Sequence, residues 1–178
     1  MLISLIGLPG VGKSTIGRRL AQRLRMPLHD CDALLEARFG MPIRTVFEVD
    51  GEARFRDAEA ELLAELTTGP DAVVATGGGI VMRPANRELL RTRTYCVYLH
   101  ATPEDLRQRL KGDAKRPLLQ VADPQQRLLE LSMERDPLYR DAACLVVEVR
   151  AMPFERLLAT IVSGMDTAAD RGTVGEAS

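Results

Sequence analysis

The first six residues are almost wholly apolar and run straight into a glycine. A short apolar run closed by a turn signal reads as a strand buried on both faces. Ile16, Leu20 and Leu24 then recur every four residues, which makes one face of a helix. The alternation continues along the chain. Residues 27–30 read as a second strand, 33–39 as a helix stopped by Gly40, and 42–49 as a second short helix. From Gly51 a longer helix extends to Leu66; its stripe is Phe55, Ala58, Leu62 and Leu66, which leaves Arg56 off the buried face. Residues 71–75 form a third strand, 84–90 a helix, and 95–99 a fourth strand. Thr102 and Pro103 open a further helix that ends near Lys111 and Gly112. Residues 113–122 are polar and read as a mobile loop. A helix is expected over 124–135, an irregular piece over 137–140, a fifth strand over 144–149 and a last helix over 153–165. Residues 167–178 are small and polar and read as a frayed tail.

Strands that are continuous apolar runs, alternating with helices, predict an α/β fold with a parallel sheet covered on both faces. Such sheets bind ligands at the C-terminal ends of their strands. Three stretches follow strand ends here: Gly7–Ser14, Asp30–Asp32 and Gly77–Gly79. One rim should therefore carry a glycine loop, two carboxylates and a bare backbone segment. With 178 residues the chain is one domain, with no internal repeat and no linker.

The glycine loop is the most informative stretch. Gly7-Leu8-Pro9-Gly10-Val11-Gly12-Lys13-Ser14 fits Gly-x-x-x-x-Gly-Lys-Ser/Thr, between a strand and a helix, as phosphate-binding loops require. Successive N–H groups make an anion nest and the helix adds its positive end. Lys13 is placed to reach the β- and γ-phosphates, and the Ser14 hydroxyl to bind Mg²⁺.

Two readings stand for Asp30 and Asp32. One is a strand end and a cap for the helix at Ala33; the other is a carboxylate near the metal and a second that takes the proton of an attacking hydroxyl. On an extended segment both would point the same way. Gly77, Gly78 and Gly79 are a tight turn, or they bring backbone N–H groups against an anion. Arg56, Arg116 and Arg135 are solvated, or they hold anionic substrate groups. Net charge is −1, without the basic excess of a nucleic-acid binder, and no apolar run is long enough to span a membrane. Cys31, Cys96 and Cys144 fit reduced thiols, and the isolated His29 and His100 are given no metal. A cytoplasmic, monomeric protein is expected. Read alone, the sequence supports a small-molecule phosphotransferase.

The chain also resembles the shikimate kinase family. The residues that carry the resemblance are the phosphate loop at 7–15, Asp-Cys-Asp at 30–32, Asp-Gly-Glu at 50–52, Phe55-Arg56 with Glu59, the glycine triplet at 77–79, Arg-Pro-Leu-Leu at 116–119 and Arg-Asp-Pro-Leu-Tyr at 135–139. They occur in the family's order over most of the chain. The resemblance implies a three-layer phosphate-loop kinase fold over residues 1–166. Its five-stranded parallel sheet would have order 2-3-1-4-5, with a mobile lid at about 112–122. It implies transfer of the ATP γ-phosphate to the 3-hydroxyl of shikimate, with Mg²⁺. Nucleotide would lie on Gly10, Val11, Gly12, Lys13, Ser14 and Thr15, with Arg116 closing from the lid and Arg150 nearest the adenine. Asp32 would hold substrate hydroxyls and act as base, while Arg56, Arg135 and the backbone of Gly77, Gly78 and Gly79 hold the carboxylate. Ser14 would be the direct metal ligand, and Asp30 would act through water. Cys31 stands where the family usually has Thr or Ser, which raises the expectation of a thiol-sensitive site.

Rival readings fare worse. A gluconate kinase would carry His-Pro soon after its Asp-containing segment, where this chain has Ala33-Leu34-Leu35. A nucleoside monophosphate kinase must hold a base, and this chain has few aromatics. A GTP-dependent switch needs Asn-Lys-x-Asp, and the single Asn, Asn86, lies in another context.

Overall fold

The computed structural model describes residues 1–109, 121–150 and 153–173. Five parallel strands form one sheet in the order β2-β3-β1-β4-β5: β1 (Leu2–Ile6), β2 (Leu28–Asp30), β3 (Ala72–Ala75), β4 (Tyr95–His100) and β5 (Leu145–Glu148). This is the expected order. β1 is central, with Leu5 beside Ala75 on one side and Val97 on the other. It is buried along its whole length.

Side chains alternate across the sheet. Ala72 and Val74 enter one apolar cluster, with Leu35, Val46, Phe55 and Leu62; Val73 enters the other, with Ile16, Leu20, Leu128 and Leu157. The first is roofed by α2 (Cys31–Phe39), α3 (Ile43–Val49) and α4 (Gly51–Leu66). The second is covered by α1 (Lys13–Leu24), α5 (Pro84–Arg93), α7 (Pro124–Ala142) and α8 (Phe154–Thr173). α6 (Pro103–Arg109) leads away from β4. Each fully buried Leu or Ile of these clusters contributes about 1.5–3 kcal/mol. The sheet is therefore the rigid base on which the loops at its C-terminal edge stand.

Three expectations are corrected. α2 begins at Cys31, not Ala33, because the Asp30 side chain accepts from the Ala33 N–H and caps the helix itself. Asp32 thus lies in a first helical turn, and the two carboxylates are not neighbours on an extended segment. α7 does not stop at Arg135 but continues through Pro137 to Ala142. A proline inside a helix costs about 3 kcal/mol; here Leu131, Arg135, Tyr139 and Ala142 bury one face on both sides of it. α8 extends to Thr173, into the stretch read as a polar tail. Of the proposed lid, residues 112–120, with Arg116, lie outside the described residues. No helix among the described residues is long and apolar enough to cross a membrane.

Candidate active site

The loop between β1 and α1 turns on glycines at positive φ, 88° at Gly10 and 102° at Gly12, conformations that cost other residues about 1–2 kcal/mol. Gly12 occupies the N-cap of α1 and no side chain caps it. The helix start is thus left to its own N–H groups, as an anion site needs. Lys13 is 9% exposed, and its Nζ donates to the carbonyls of Gly7 at 2.7 Å and Leu8 at 3.0 Å. Its ammonium is folded over its own loop. Val11 is buried, whereas Ser14 and Thr15 face outward in the first turn of α1.

Thr76 anchors the next strand end by donating its hydroxyl to the Leu5 carbonyl at 2.9 Å. Beyond it comes the glycine triplet, which then enters a 3-10 turn at Ile80–Met82. None of its three glycines has a positive φ. They are required for room instead. A Cβ on Gly77 would stand 2.6 Å from Glu59 Oε1 and 3.1 Å from Asp32 Oδ1. On Gly78 it would stand 2.9 Å from Pro9 Cδ of the phosphate loop, and on Gly79 it would overlap the Arg56 guanidinium. The bare backbone is thus wedged between the phosphate loop and the side chains of α2 and α4.

α4 supplies the charges. Arg56 Nη1 donates to Glu59 Oε2 at 2.7 Å and Nη2 to Glu52 Oε1 at 3.2 Å. Arg56 lies off the apolar stripe, as the sequence suggests, yet it is far from solvated: its side chain is only 11% exposed. Glu59 is buried, and its Oε1 has no hydrogen-bond partner among the described residues. Burial pushes the Glu59 carboxyl up from the usual carboxylate range; Arg56 pulls it back, and the Asp32 charge adds to the rise.

From the other side of the sheet, α7 brings Arg135. It is 3% exposed, and neither Nε nor Nη1 has a hydrogen-bond partner among the described residues. A buried guanidinium with donors left unsatisfied is costly, and the attraction of the nearby Glu59 carboxyl offsets only part of that cost. One turn on, Tyr139 is fully buried and donates its hydroxyl to the Gly78 carbonyl at 2.5 Å. Its ring stacks on Tyr98, centroids 4.9 Å apart, and Tyr98 donates to Asp136 at 2.8 Å.

The structure therefore brings Asp32, Arg56, Arg135 and Gly77–Gly79 together beside the phosphate loop. Arg150 is not part of this cluster; its guanidinium is paired with Asp105 on α6, at the opposite end of the rim. His100 pairs with Glu148 at 2.7 Å, which gives it a structural partner. Cys31 is buried at the start of α2, and burial, with Asp32, Glu59 and Asp30 adding, pushes its thiol far up. Burial and the raised thiol both disfavour the thiolate that would make the site thiol-sensitive. Two residues of the cluster had no place in the residue-level reading of the sequence. Glu59 was legible as a carboxylate inside the buried face of α4, one turn after Phe55. Tyr139 was hidden because Pro137 seemed to end the helix.

Comparison with known proteins agrees with this geometry. The family model for shikimate kinase matches residues 9–166. The chain is 54% identical to the shikimate kinase of Paracidovorax citrulli over 82% of this chain and 80% of the relative. It is 48% identical to that of Aromatoleum aromaticum over 83% and 85%. Among solved structures, shikimate kinase from Acinetobacter baumannii in complex with shikimate superposes with a TM-score of 0.90 at 40% identity, over 94% of this chain and 93% of that one. The chain belongs to the shikimate kinase family and is an ATP-dependent phosphotransferase of the shikimate pathway.

Proposed function

We propose that this chain moves the γ-phosphoryl group of ATP onto the 3-hydroxyl of shikimate by means of the residues assembled above. The observation that carries the reading is Arg135: a buried guanidinium with two nitrogens that find no hydrogen-bond partner among the described residues, beside a bare glycine backbone and next to a phosphate loop. A carboxylate on a small polar ring would complete it, and a bidentate guanidinium suits a carboxylate better than an ammonium does.

In this reading ATP takes the nest from Gly10 to Thr15. Phosphate oxygens replace the Gly7 and Leu8 carbonyls as partners of Lys13, exchanging neutral acceptors for charged ones. Arg56, Arg135 and the backbone of Gly77–Gly79 hold the acid, as one substrate carboxylate. Asp32, facing the same edge of Gly77 as Glu59, receives the ring hydroxyls and takes the proton as the 3-oxygen attacks. The bond from the γ-phosphorus to the bridging oxygen breaks, and ADP leaves. Lys13 steadies the negative charge on the transferring group, and positioning supplies most of the rest. Mg²⁺ fits the donors present. Ser14 offers an exposed hydroxyl, Asp30 a carboxylate at the rim, and Mg²⁺ usually takes one or two protein oxygens with phosphates and waters. When bound it would neutralise phosphate charge. Arg116 would reach the phosphates as the family resemblance implies. We take the protein to act as a cytoplasmic monomer.

The test is ADP release with ATP, Mg²⁺ and shikimate, with the product identified by mass. ADP release that requires shikimate, and a product heavier by one phosphoryl group, support the reading. Turnover with gluconate or a nucleoside monophosphate in place of shikimate contradicts it.

A further inference from the structure

Tyr139 has no role in the chemistry described so far, yet its hydroxyl ties α7 to the glycine triplet. It lies one helical turn beyond Arg135, on the same buried face of α7. Its hydroxyl crosses 61 residues of sequence to reach the Gly78 carbonyl. Gly78 in turn rests on Pro9 of the phosphate loop, and the next glycine rests on Arg56. The ring is held from below by Tyr98, which Asp136 fixes through its hydroxyl. We propose that Tyr139 is a positioning residue of the acid subsite. Its hydroxyl sets the plane of the Gly78–Gly79 peptide, and thereby the distance between that backbone and the Arg135 guanidinium. This inference rests on the proposed binding of shikimate at Arg56, Arg135 and the glycine triplet.

The physical case is one of competing orientations. Glycine is the residue with the most backbone freedom, and three in a row would sample many peptide planes. The Ile80 N–H donates to the Gly77 carbonyl at 3.3 Å and the Met82 N–H to that of Gly79 at 3.0 Å, leaving the middle carbonyl to the phenol. Burial pushes the Tyr139 phenol far up, against the pull of Arg135, so it stays a neutral donor at any working pH. Arg135 and Tyr139 share one rigid helix face, so the two halves of the subsite cannot drift apart independently.

Tyr139→Phe tests this, because it keeps the ring and its stacking and removes one oxygen. Loss of one such bond should raise KM for shikimate about 2- to 12-fold. KM for ATP should stay within about twofold. Tyr98→Phe, which keeps the stack and loses only the bond to Asp136, should leave KM for shikimate near the wild-type value. Equal rises in both KM values for Tyr139→Phe, no rise in either, or the same rise in Tyr98→Phe overturns the inference, since each points to packing and not to the hydroxyl. A wild-type protein that turns over shikimate while Tyr139→Phe is unchanged refutes this inference alone. A wild-type protein that does not turn it over refutes the substrate reading and this inference with it. Should Tyr139→Phe fold poorly, 3-fluorotyrosine placed at 139 gives a second readout. Shikimate should move its ¹⁹F resonance more than ADP does, and the reverse order overturns the inference.

Discussion

Arg56 and Glu59 sit one helical turn apart on α4 and share a 2.7 Å ion pair almost wholly out of water, yet the second oxygen of Glu59 has no hydrogen-bond partner among the described residues. That carboxyl faces Gly77 and the Asp32 carboxylate, and its nearest cation is committed to only one of its oxygens. The pair therefore holds Arg56 against Gly79 without neutralising everything around it. Removing the acid altogether, as in Glu59→Ala, leaves the buried Arg56 guanidinium with Glu52 as its remaining partner and should destabilise the protein by about 1.5–3 kcal/mol. Urea unfolding measures this.

Glu59 also sets a pH dependence. Its folded carboxyl is raised above the ordinary 4.5, with burial as the leading cause. Between the unfolded and folded values the native state holds a proton that the unfolded chain has released. Stability therefore falls as pH rises through that window, and the contribution is complete only below the unfolded value. Glu59→Gln removes the proton exchange. The stability of wild type relative to Glu59→Gln should decline from pH 4.5 upward, by at most about 1.4 kcal/mol per pH unit. A difference that is flat, or that grows with pH, contradicts the raised value.

Lys13 bridges its own loop through two backbone carbonyls. Lys13→Ala should fold normally by circular dichroism and lose about 10²- to 10³-fold in kcat, since a charge aimed at the transferring phosphoryl oxygens is gone. Near-normal turnover would sink the phosphate-loop assignment.

What the sequence made legible was local and periodic. The continuous apolar strands, the glycine loop and the stripe of α4 each follow from side-chain type and spacing, and the fold agrees with them. The strand order rested on family resemblance, because no run of residues states which strand lies beside which. The misreadings came from competition between rules. Pro137 signals a break, but the face carrying Arg135 and Tyr139 is buried well enough to carry α7 through it. Asp32 looked like a cap, but Asp30 is one residue before the helix and takes that role. The glycine triplet suggested a turn, and it makes one, closed by the Ile80 N–H on the Gly77 carbonyl; what the sequence hid is that its need for glycine comes from Pro9, Arg56 and Glu59, which are distant in sequence.

The cysteines give a simple chemical test. Cys31 and Cys96 are buried, and burial pushes the Cys96 thiol up to about 12. Cys144 is exposed just before the edge strand, although desolvation raises its thiol as well and the thiol donates to the Cys96 carbonyl; exposure is what sets it apart from the other two. Only thiolate reacts at a useful rate. One thiol, Cys144, should label in the native protein and three after denaturation, and native labelling should leave turnover unchanged. Rapid native labelling at Cys31 contradicts the packing of α2.

The central claim is that Arg135 awaits a carboxylate. Isothermal titration of shikimate, and of its neutral carboxamide analogue, into wild type and Arg135→Ala addresses it directly. A charge-assisted pair at a desolvated site predicts that wild type prefers the acid by about 10- to 150-fold and that Arg135→Ala loses most of that preference. Equal binding of acid and amide by wild type, or an undiminished preference in Arg135→Ala, contradicts it.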